Sequence, residues 1–257
     1  MSDKKIIHIG STVEKAEQGD YTLDVASILK EGWAITKNHK TPIISGLLFV
    51  FFIAIIAVSV IASYLGGPEN MMADPQANVI ANMVLTVIIW PFLAGVEMMG
   101  VSHAVGIKTR TGFVFAFLKR SAFIALTAII VWSLTSLGFA LILPGIYIAI
   151  ALSLTVPLLI EKNMTPIQAI ILSFKATRFQ WLRLLQIYSA LFSLAIMSIL
   201  PAVMGAPLLI SLPIMVVALL LLAPYYYNVK GILYREIFGV SMQVVDNNGR
   251  KDTYFSA

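Results

Sequence analysis

One acidic side chain lies well inside a hydrophobic run of this sequence. Glu97 falls within Val79–Ile107, where His103 is the other ionisable residue. Glu97 precedes Lys108 by 11 positions, which is about 16 Å along a helix axis and near the middle of a bilayer. An ionised carboxylate at that depth costs roughly 2.5–3.5 kcal/mol on insertion scales. Glu97 must therefore face protein or carry a proton.

Two interpretations of Glu97 follow. Pro91 removes a backbone donor six residues earlier and frees the carbonyl of Val87, and a kink beside a buried acid could serve an ion or proton pathway. Alternatively, a neutral Glu97 hydrogen-bonds a neighbouring helix. His103 lies about 240° further around the helix, so it does not face Glu97, and we expect it to act as an anchor rather than a proton relay.

A second candidate site is a basic cluster. Lys175, Arg178 and Arg183 share one short segment with Trp181. Clusters of basic residues at the cytoplasmic surface of a membrane attract anionic lipids. The cluster predicts contacts with anionic lipid, either at a specific headgroup site or through general surface attraction.

Small residues and prolines mark sites of helix packing. Gly145, Ala149 and Ser153 recur every four positions, a spacing that lets helices approach closely. Pro213 and Pro224 interrupt the last hydrophobic run. Broken helices can present backbone carbonyls to ions, but they can also simply bend to fit their neighbours, and both interpretations stay open.

Signatures of catalysis are missing from the sequence. The chain has no cysteine, which excludes disulfides and thiolate chemistry. His8, His39 and His103 lie in separate segments without metal-ligand spacing. We find no nucleophile elbow, P-loop, dinucleotide-binding loop or metalloprotease helix. The sequence therefore predicts a protein that is not an enzyme, with no catalytic residue, cofactor or metal.

The composition indicates a membrane protein. Of the 257 residues, 59% are hydrophobic and 12% are charged, whereas a soluble domain carries about 25% charged residues. The net charge of +5 does not indicate nucleic acid, because the basic residues are spread over four segments and form no nucleic-acid motif. An anionic membrane surface is the better partner.

Six transmembrane helices are predicted. Ser121–Ile160 is uncharged over 40 residues and would be about 60 Å long as one helix, twice the hydrocarbon core, so it must fold back. Pro144-Gly145 supplies that reversal, and Met204–Pro207 does the same in the last run. The predicted helices cover roughly 41–65, 79–106, 121–142, 145–160, 184–203 and 208–234.

The basic residues predict the orientation. All 18 Lys and Arg residues fall in four segments: Lys4–Lys40, Lys108–Arg120, Lys162–Arg183 and Lys230–Lys251. The three loops on the opposite side contain none. By the positive-inside rule, both termini should be cytoplasmic.

Each predicted hairpin follows a basic amphipathic segment, at about 23–40, 111–120 and 165–183. These segments are expected to form interfacial helices, and the third opens with a capping box from Thr165 to Gln168. The pattern fits either an internal repeat or anchors that any hairpin needs. The predicted organisation is a tail over 1–22, a transmembrane domain over 23–235 and a tail over 236–257.

The tails have weak strand character. Ser241–Val245 and Thr253–Phe255 flank a turn-forming sequence, Asp246–Gly249, which predicts a small β-hairpin. Lys4–Ile9 could join that hairpin as a third strand. Disorder of the tails is the alternative.

The segment Leu143–Arg183 carries a resemblance to a known family. It reads LPGIYIAIALSLTVPLLIEKNMTPIQAIILSFKATRFQWLR. Pro144-Gly145, Pro157 and the polar turn Glu161–Met164 resemble the YciC-like family of bacterial inner-membrane proteins. The segment is also similar to the membrane domain of some glycerophosphodiester phosphodiesterases. The resemblance implies a six-helix inner-membrane protein without established catalysis, and it supplies no active-site residues.

The sequence thus predicts an all-α polytopic protein of the bacterial inner membrane, with six helices in three hairpins. We expect it to engage lipids or envelope partners through its basic cytoplasmic face, without enzymatic activity. Association with another copy of itself is open. A transporter or homo-oligomeric channel that uses Glu97 and the proline-broken helices is the alternative function.

Overall fold

The structure, a computed structural model, describes residues 5–247 and 250–255. These residues form helices and a small sheet. The helices are α1 (Val13–Gln18), α2 (Val25–Tyr64), α3 (Pro68–Ala73), α4 (Pro75–Ala104), α5 (Ser121–Phe139), α6 (Ile142–Ala151), α7 (Thr155–Glu161), α8 (Pro166–Thr177), α9 (Trp181–Val203) and α10 (Leu208–Phe238). The strands are β1 (Lys5–Ile9), β2 (Val240–Asn247) and β3 (Arg250–Phe255).

Six helical segments of the described chain are long and apolar enough to cross a membrane. They are Val25–Tyr64, Pro75–Ala104, Thr111–Phe139, Ile142–Glu161, Pro166–Val203 and Leu208–Phe238. This confirms the prediction of an all-α polytopic membrane protein with six spans. Each span begins or ends within a few residues of a hydrophobic run. The runs are helical because a helix satisfies every backbone polar group internally where water is absent.

The first span is continuous with the amphipathic segment before it. Helix α2 runs for 40 residues, but His39 has non-helical dihedral angles (φ −129°, ψ 23°). Pro42 lies three residues later and cannot donate a hydrogen bond, and its ring crowds the preceding turn. The kink therefore separates the N-terminal segment of α2 from its apolar part.

The segment Thr111–Arg120 is helical in a tighter form than an α-helix. It consists of two 3₁₀ turns, Thr111–Phe115 and Leu118–Arg120. Glycine and β-branched residues have low α-helix propensity, and the segment contains Gly112 and Val114. Val114 is fully buried against Gly95, where a Cβ would lie 2.6 Å from the Cα of Val114. The close approach fixes the segment across α4.

The hairpin of the third and fourth spans turns earlier than predicted. The chain reverses at Ala140-Leu141, and α6 begins at Ile142, so Pro144 lies in the first helical turn, where its missing N–H is harmless. Gly145 allows the return: a Cβ there would lie 2.6 Å from the ring of Phe139. The fourth span also breaks in the middle, between α6 and α7.

A small antiparallel sheet joins segments near both ends of the chain. Its strand order is β1-β2-β3, with Ile7 opposite Met242 and Val244 opposite Thr253. Asn248 and Gly249, in the predicted turn between β2 and β3, lie outside the described residues.

The bundle divides into two halves that differ in packing. The packed half contains Pro91–Ala104 of α4 and Pro224–Phe238 of α10, together with α7, α8 and β2 around them; in those two stretches no residue is exposed. The exposed half contains Pro75–Trp90 of α4 and Leu208–Leu222 of α10, whose large apolar side chains point outward. Most buried polar side chains lie in the packed half.

Candidate functional site

Glu97 lies in the packed half and forms a buried ion pair. Its Oε1 accepts a hydrogen bond from the Nζ of Lys230 at 2.7 Å, and the two side chains are 6% and 8% exposed. Oε2 has no hydrogen-bond partner among the described residues. Val96 and Met98 beside it are fully buried, so Glu97 lies among packed residues. Its partner on the neighbouring helix is the side chain of Lys230.

A close helix crossing positions this pair. A Cβ on Gly231 would collide with the backbone of Gly100, and one on Gly100 would collide with the backbone of Tyr227. Two glycines thus let α4 and α10 approach until Lys230 reaches Glu97, 133 positions away. No local pattern in the sequence indicates this pairing, because only the crossing of α4 and α10 brings Lys230 to Glu97.

His103 joins three helices. Its Nδ1 donates to the Oδ1 of Asn228 (2.9 Å), and its Nε2 accepts from the hydroxyl of Thr109 (2.8 Å). Asn228 in turn donates to the hydroxyl of Thr36 at 3.0 Å, and the ring of His39 stacks on His103 at 5.2 Å. A neutral ring with its proton on Nδ1 can make both bonds. His103 therefore anchors α4 to α2 and α10.

A second buried carboxylate, which the sequence analysis did not single out, connects the sheet to the bundle. Glu161 is fully buried at the end of α7. Its oxygens accept from the hydroxyl of Tyr234 (2.7 Å) and the backbone N–H of Ser241 (2.8 Å), and Lys162 lies 3.0 Å away. Only the fold brings Tyr234 and Ser241 to Glu161, so no local pattern could have revealed the cluster.

Arg235 makes a third connection. Its guanidinium donates two hydrogen bonds to Glu31, at 2.7 and 2.9 Å, and a further one to the carbonyl of Ala104 at 2.7 Å. A bidentate arginine–carboxylate pair is geometrically specific and stronger than a neutral hydrogen bond. Arg235 thereby holds together α2, α4 and α10 at the end of the bundle that carries the sheet.

Helix α8 packs with an unusual polarity. Its inward face is buried and consists mainly of small and hydroxyl residues, Ala169, Ser173, Ala176 and Thr177, together with Leu172 and Pro166. The hydroxyl of Ser173 donates to the carbonyl of Ala151 at 2.6 Å, which the break between α6 and α7 leaves without a helical partner. The predicted apolar stripe points outward, with Ile167 65% exposed and Phe174 41% exposed. The predicted capping box from Thr165 to Gln168 is present at its start.

A groove of about 320 Å³ lies beside this outward stripe. It is bounded by α5, α6 and α8, and its lining residues are Leu134, Ile148, Leu152, Ile170, Ile171, Phe174 and Lys175. Lys175 is the charged member of that lining. Tyr147 sits next to the groove, with its ring 5.5 Å from Phe174 and 5.8 Å from Trp181.

The structure separates the four residues predicted to contact anionic lipid. Lys175 lines the groove and Trp181 contacts Tyr147 beside it. Arg178 instead lies over the ring of Phe179, 4.7 Å from its centroid. Arg183 lies near Asp24: the hydroxyl of Ser27 lowers the pKa of Asp24, and Arg183 adds to that effect.

The three predicted packing residues have different neighbours. Gly145 packs against α5, as described above. Ala149 is half-buried. Ser153 lies in the break after α6, where its hydroxyl donates to the carbonyl of Ile150 and accepts a hydrogen bond from Tyr188 of α9 at 2.9 Å. The three residues therefore do not form one face toward one helix.

Among the residues that the structure describes, no group of three His, Asp or Glu side chains could hold a metal ion. The buried carboxylates Glu97 and Glu161 are instead paired with lysines. Comparison with protein-family models, curated proteins and solved structures finds no match to this chain.

Proposed function

We propose that this chain is a non-enzymatic integral protein of the bacterial inner membrane that engages anionic lipids through its basic face. The observation that carries the proposal is the outward surface of α8. There, exposed Ile167, Ile171 and Phe174 share a face with Lys175, whose ammonium group has no ion-pair partner among the described residues. An apolar stripe bordered by a cation is the surface that an anionic membrane interface favours.

The polarity of α8 supports lipid as the partner. A helix at a water-facing surface turns its large apolar side chains toward the core, but α8 buries Leu172 while it exposes Ile167, Ile171 and Phe174. Its inward face of Ala169, Ser173 and Thr177 is already occupied by the broken fourth span. The outward stripe needs a nonpolar environment, and the bilayer supplies one.

The distribution of charge supports the orientation. The 18 Lys and Arg residues are absent from the three connections at the end of the bundle away from the sheet. By the positive-inside rule the sheet, both termini and the basic segments lie in the cytoplasm. Anionic lipids of the cytoplasmic leaflet attract each nearby Lys or Arg by about 1 kcal/mol.

Membership of the YciC-like family is part of this proposal and rests on the residues of Leu143–Arg183. The same basic face could also receive an envelope protein or a second copy of the chain. A lipid is favoured over these partners because the α8 surface combines an apolar stripe with a cation and lies next to membrane-spanning helices.

Native mass spectrometry of the protein extracted from mixed phosphatidylethanolamine and phosphatidylglycerol bilayers tests the proposal. We expect phosphatidylglycerol to be enriched on the wild-type chain. The triple variant Lys175→Ala/Arg178→Ala/Arg183→Ala should lose at least fivefold of that enrichment, since one such cation contributes about 1 kcal/mol.

A control with the same loss of charge is Lys15→Ala/Lys30→Ala/Lys108→Ala, whose residues lie outside α8 and its flanks. We expect it to retain more phosphatidylglycerol than the α8 variant. Equal recovery of the two lipids from the wild-type chain would contradict the proposal.

A second candidate function is a transporter or homo-oligomeric channel that uses Glu97. The observation that favours it is the buried Oε2 of Glu97, which has no partner among the described residues. Proton flux into liposomes that contain the purified chain, and its loss in Glu97→Gln, would support this function. Proton flux no higher than in protein-free liposomes would contradict this function.

A further inference from the structure

The groove between α5, α6 and α8 has a volume in the range of ligand sites, about 320 Å³. Its walls are apolar apart from Lys175. Ser173 and Thr177 tie α8 to the broken fourth span through the carbonyl of Ala151. The hydroxyl contacts hold the wall formed by α8 in place, so the groove does not have to be assembled when a ligand binds.

Apolar walls alone do not select a ligand inside a membrane. An acyl chain that moves from the bilayer into the groove leaves one hydrocarbon environment for another and gains no hydrophobic free energy. Selection must therefore come from the polar end of the ligand. Lys175 is the group that can provide it.

The charge at Lys175 is available. Its side chain is exposed, and no carboxylate lies within ion-pair distance of it in the described residues. The neighbouring cation Arg178 lies over the ring of Phe179. An ammonium group at the border of an apolar groove complements a phosphate that is attached to a hydrocarbon chain.

Aromatic side chains place this end of the groove at headgroup depth. Tyr147 and Trp181 stack edge-to-face at 5.8 Å beside Phe174. Tyr and Trp concentrate where hydrocarbon meets headgroups, because their rings have an apolar body and a polar edge. Lys175 follows Phe174 directly, so its ammonium lies at the level where phosphates are found.

We infer that this groove is a binding site for one anionic phospholipid, with an acyl chain along Leu134, Ile148 and Ile171 and its phosphate at Lys175. The inference rests on the proposed function and narrows it from a basic face to a single site. The ligand is a membrane lipid, selected by its negative headgroup.

The experiment distinguishes lipid bound in the groove from lipid held by the basic face as a whole. Leu134→Trp fills the groove without a change in charge, and Leu137→Trp is its control, since Leu137 lies one turn further along α5 and is 74% exposed outside the lining. The readout is the number of phosphatidylglycerol molecules retained per chain in native mass spectrometry. We expect Leu134→Trp to lose one retained lipid and Leu137→Trp to lose none.

Lys175→Ala provides a second variant at an exposed position, where folding is not at risk. We expect at least fivefold weaker retention of the same lipid, and restoration in Lys175→Arg. If Leu134→Trp and Lys175→Ala both retain the wild-type number while the triple basic variant loses lipid, the groove inference is overturned and the proposed function stands. A wild-type chain that retains no phosphatidylglycerol overturns both.

Discussion

The two halves of the bundle are built from the same helices but have different requirements for stability. Helix α4 exposes Val84 and Val87 in its first half, yet buries Met98 and Met99 completely in its second. Helix α10 changes in the same way after Leu222. The exposed half needs only an apolar surface and internal backbone hydrogen bonds, whereas the packed half must satisfy buried charges and hydroxyls within the protein.

The difference shows where specificity resides in this fold. Substituting one apolar residue for another in the exposed half has little effect on the fold, because lipid accommodates the change in shape. In the packed half, Glu97, Glu161 and His103 each depend on partners from other helices. The contacts that fix the arrangement of the six spans are therefore concentrated in the packed half.

The largest predicted effect comes from breaking the buried ion pair. Lys230→Met leaves the Glu97 carboxylate buried without its cation, which should lower the free energy of unfolding by about 3–5 kcal/mol. Chemical unfolding in detergent micelles measures the change. The double variant Glu97→Gln/Lys230→Met should recover part of the loss, because it leaves no unpaired charge. Strictly additive effects of the two single changes would show that the groups are not coupled.

One chemical change made in each half tests the comparison directly. Leu158 of α7 is fully buried, and Leu209 of α10 is 87% exposed. We expect Leu158→Ala to lower the free energy of unfolding by about 2–5 kcal/mol through the cavity it leaves. Leu209→Ala should change it by less than about 0.5 kcal/mol. Similar losses at both positions would contradict the division into a packed and an exposed half.

A smaller loss than at Leu158 is predicted at Tyr21, which precedes the first span and extends the packed half. Its hydroxyl donates to the carbonyl of Ala176 at 2.7 Å, and burial raises the pKa of Tyr21. Tyr21→Phe should reduce the free energy of unfolding by about 0.5–1.5 kcal/mol.

The difference in the free energy of unfolding between wild type and Tyr21→Phe depends on pH with a definite sign. An unfolded tyrosine titrates near pH 10, and the folded pKa of Tyr21 is higher. The stabilisation is therefore complete below about pH 10 and is lost as the pH rises through the folded pKa. Unfolding of wild type and Tyr21→Phe at pH 7 and above pH 10 measures it. A difference that grows above pH 10 would show that Tyr21 is not buried in the protonated form.

The six spans could be predicted from the sequence because they depend on local hydropathy and on the length of a bilayer. The runs Ser121–Ile160 and Leu184–Val229 could not be single helices, and the structure confirms two spans in each. The capping box at Thr165 was equally local. Composition and short-range chemistry determine these features.

The partners in the candidate sites could not be predicted, since they depend on how the helices cross. Nothing near Glu97 in the sequence indicates Lys230, and Glu161 gives no sign of Tyr234. The orientation of helix α8 could not be predicted either. Its amphipathic character is visible in the sequence, but the direction of its apolar stripe depends on the broken fourth span, which packs against the opposite face. Asn228 and Lys230, two polar residues inside the predicted last helix, were the available hint of a buried network.

The sheet also determines when the packed half can be completed during synthesis. Strand β1 pairs with β2 across 230 intervening positions, from Ile9 to Val240. At about 5–20 residues per second, roughly 12–46 s pass between the synthesis of the two strands. During that time the first five spans are synthesised and can enter the bilayer, while Glu161 still lacks the backbone N–H of Ser241. Insertion of these spans therefore precedes the strand pairing that closes the packed half, which is among the last steps of folding.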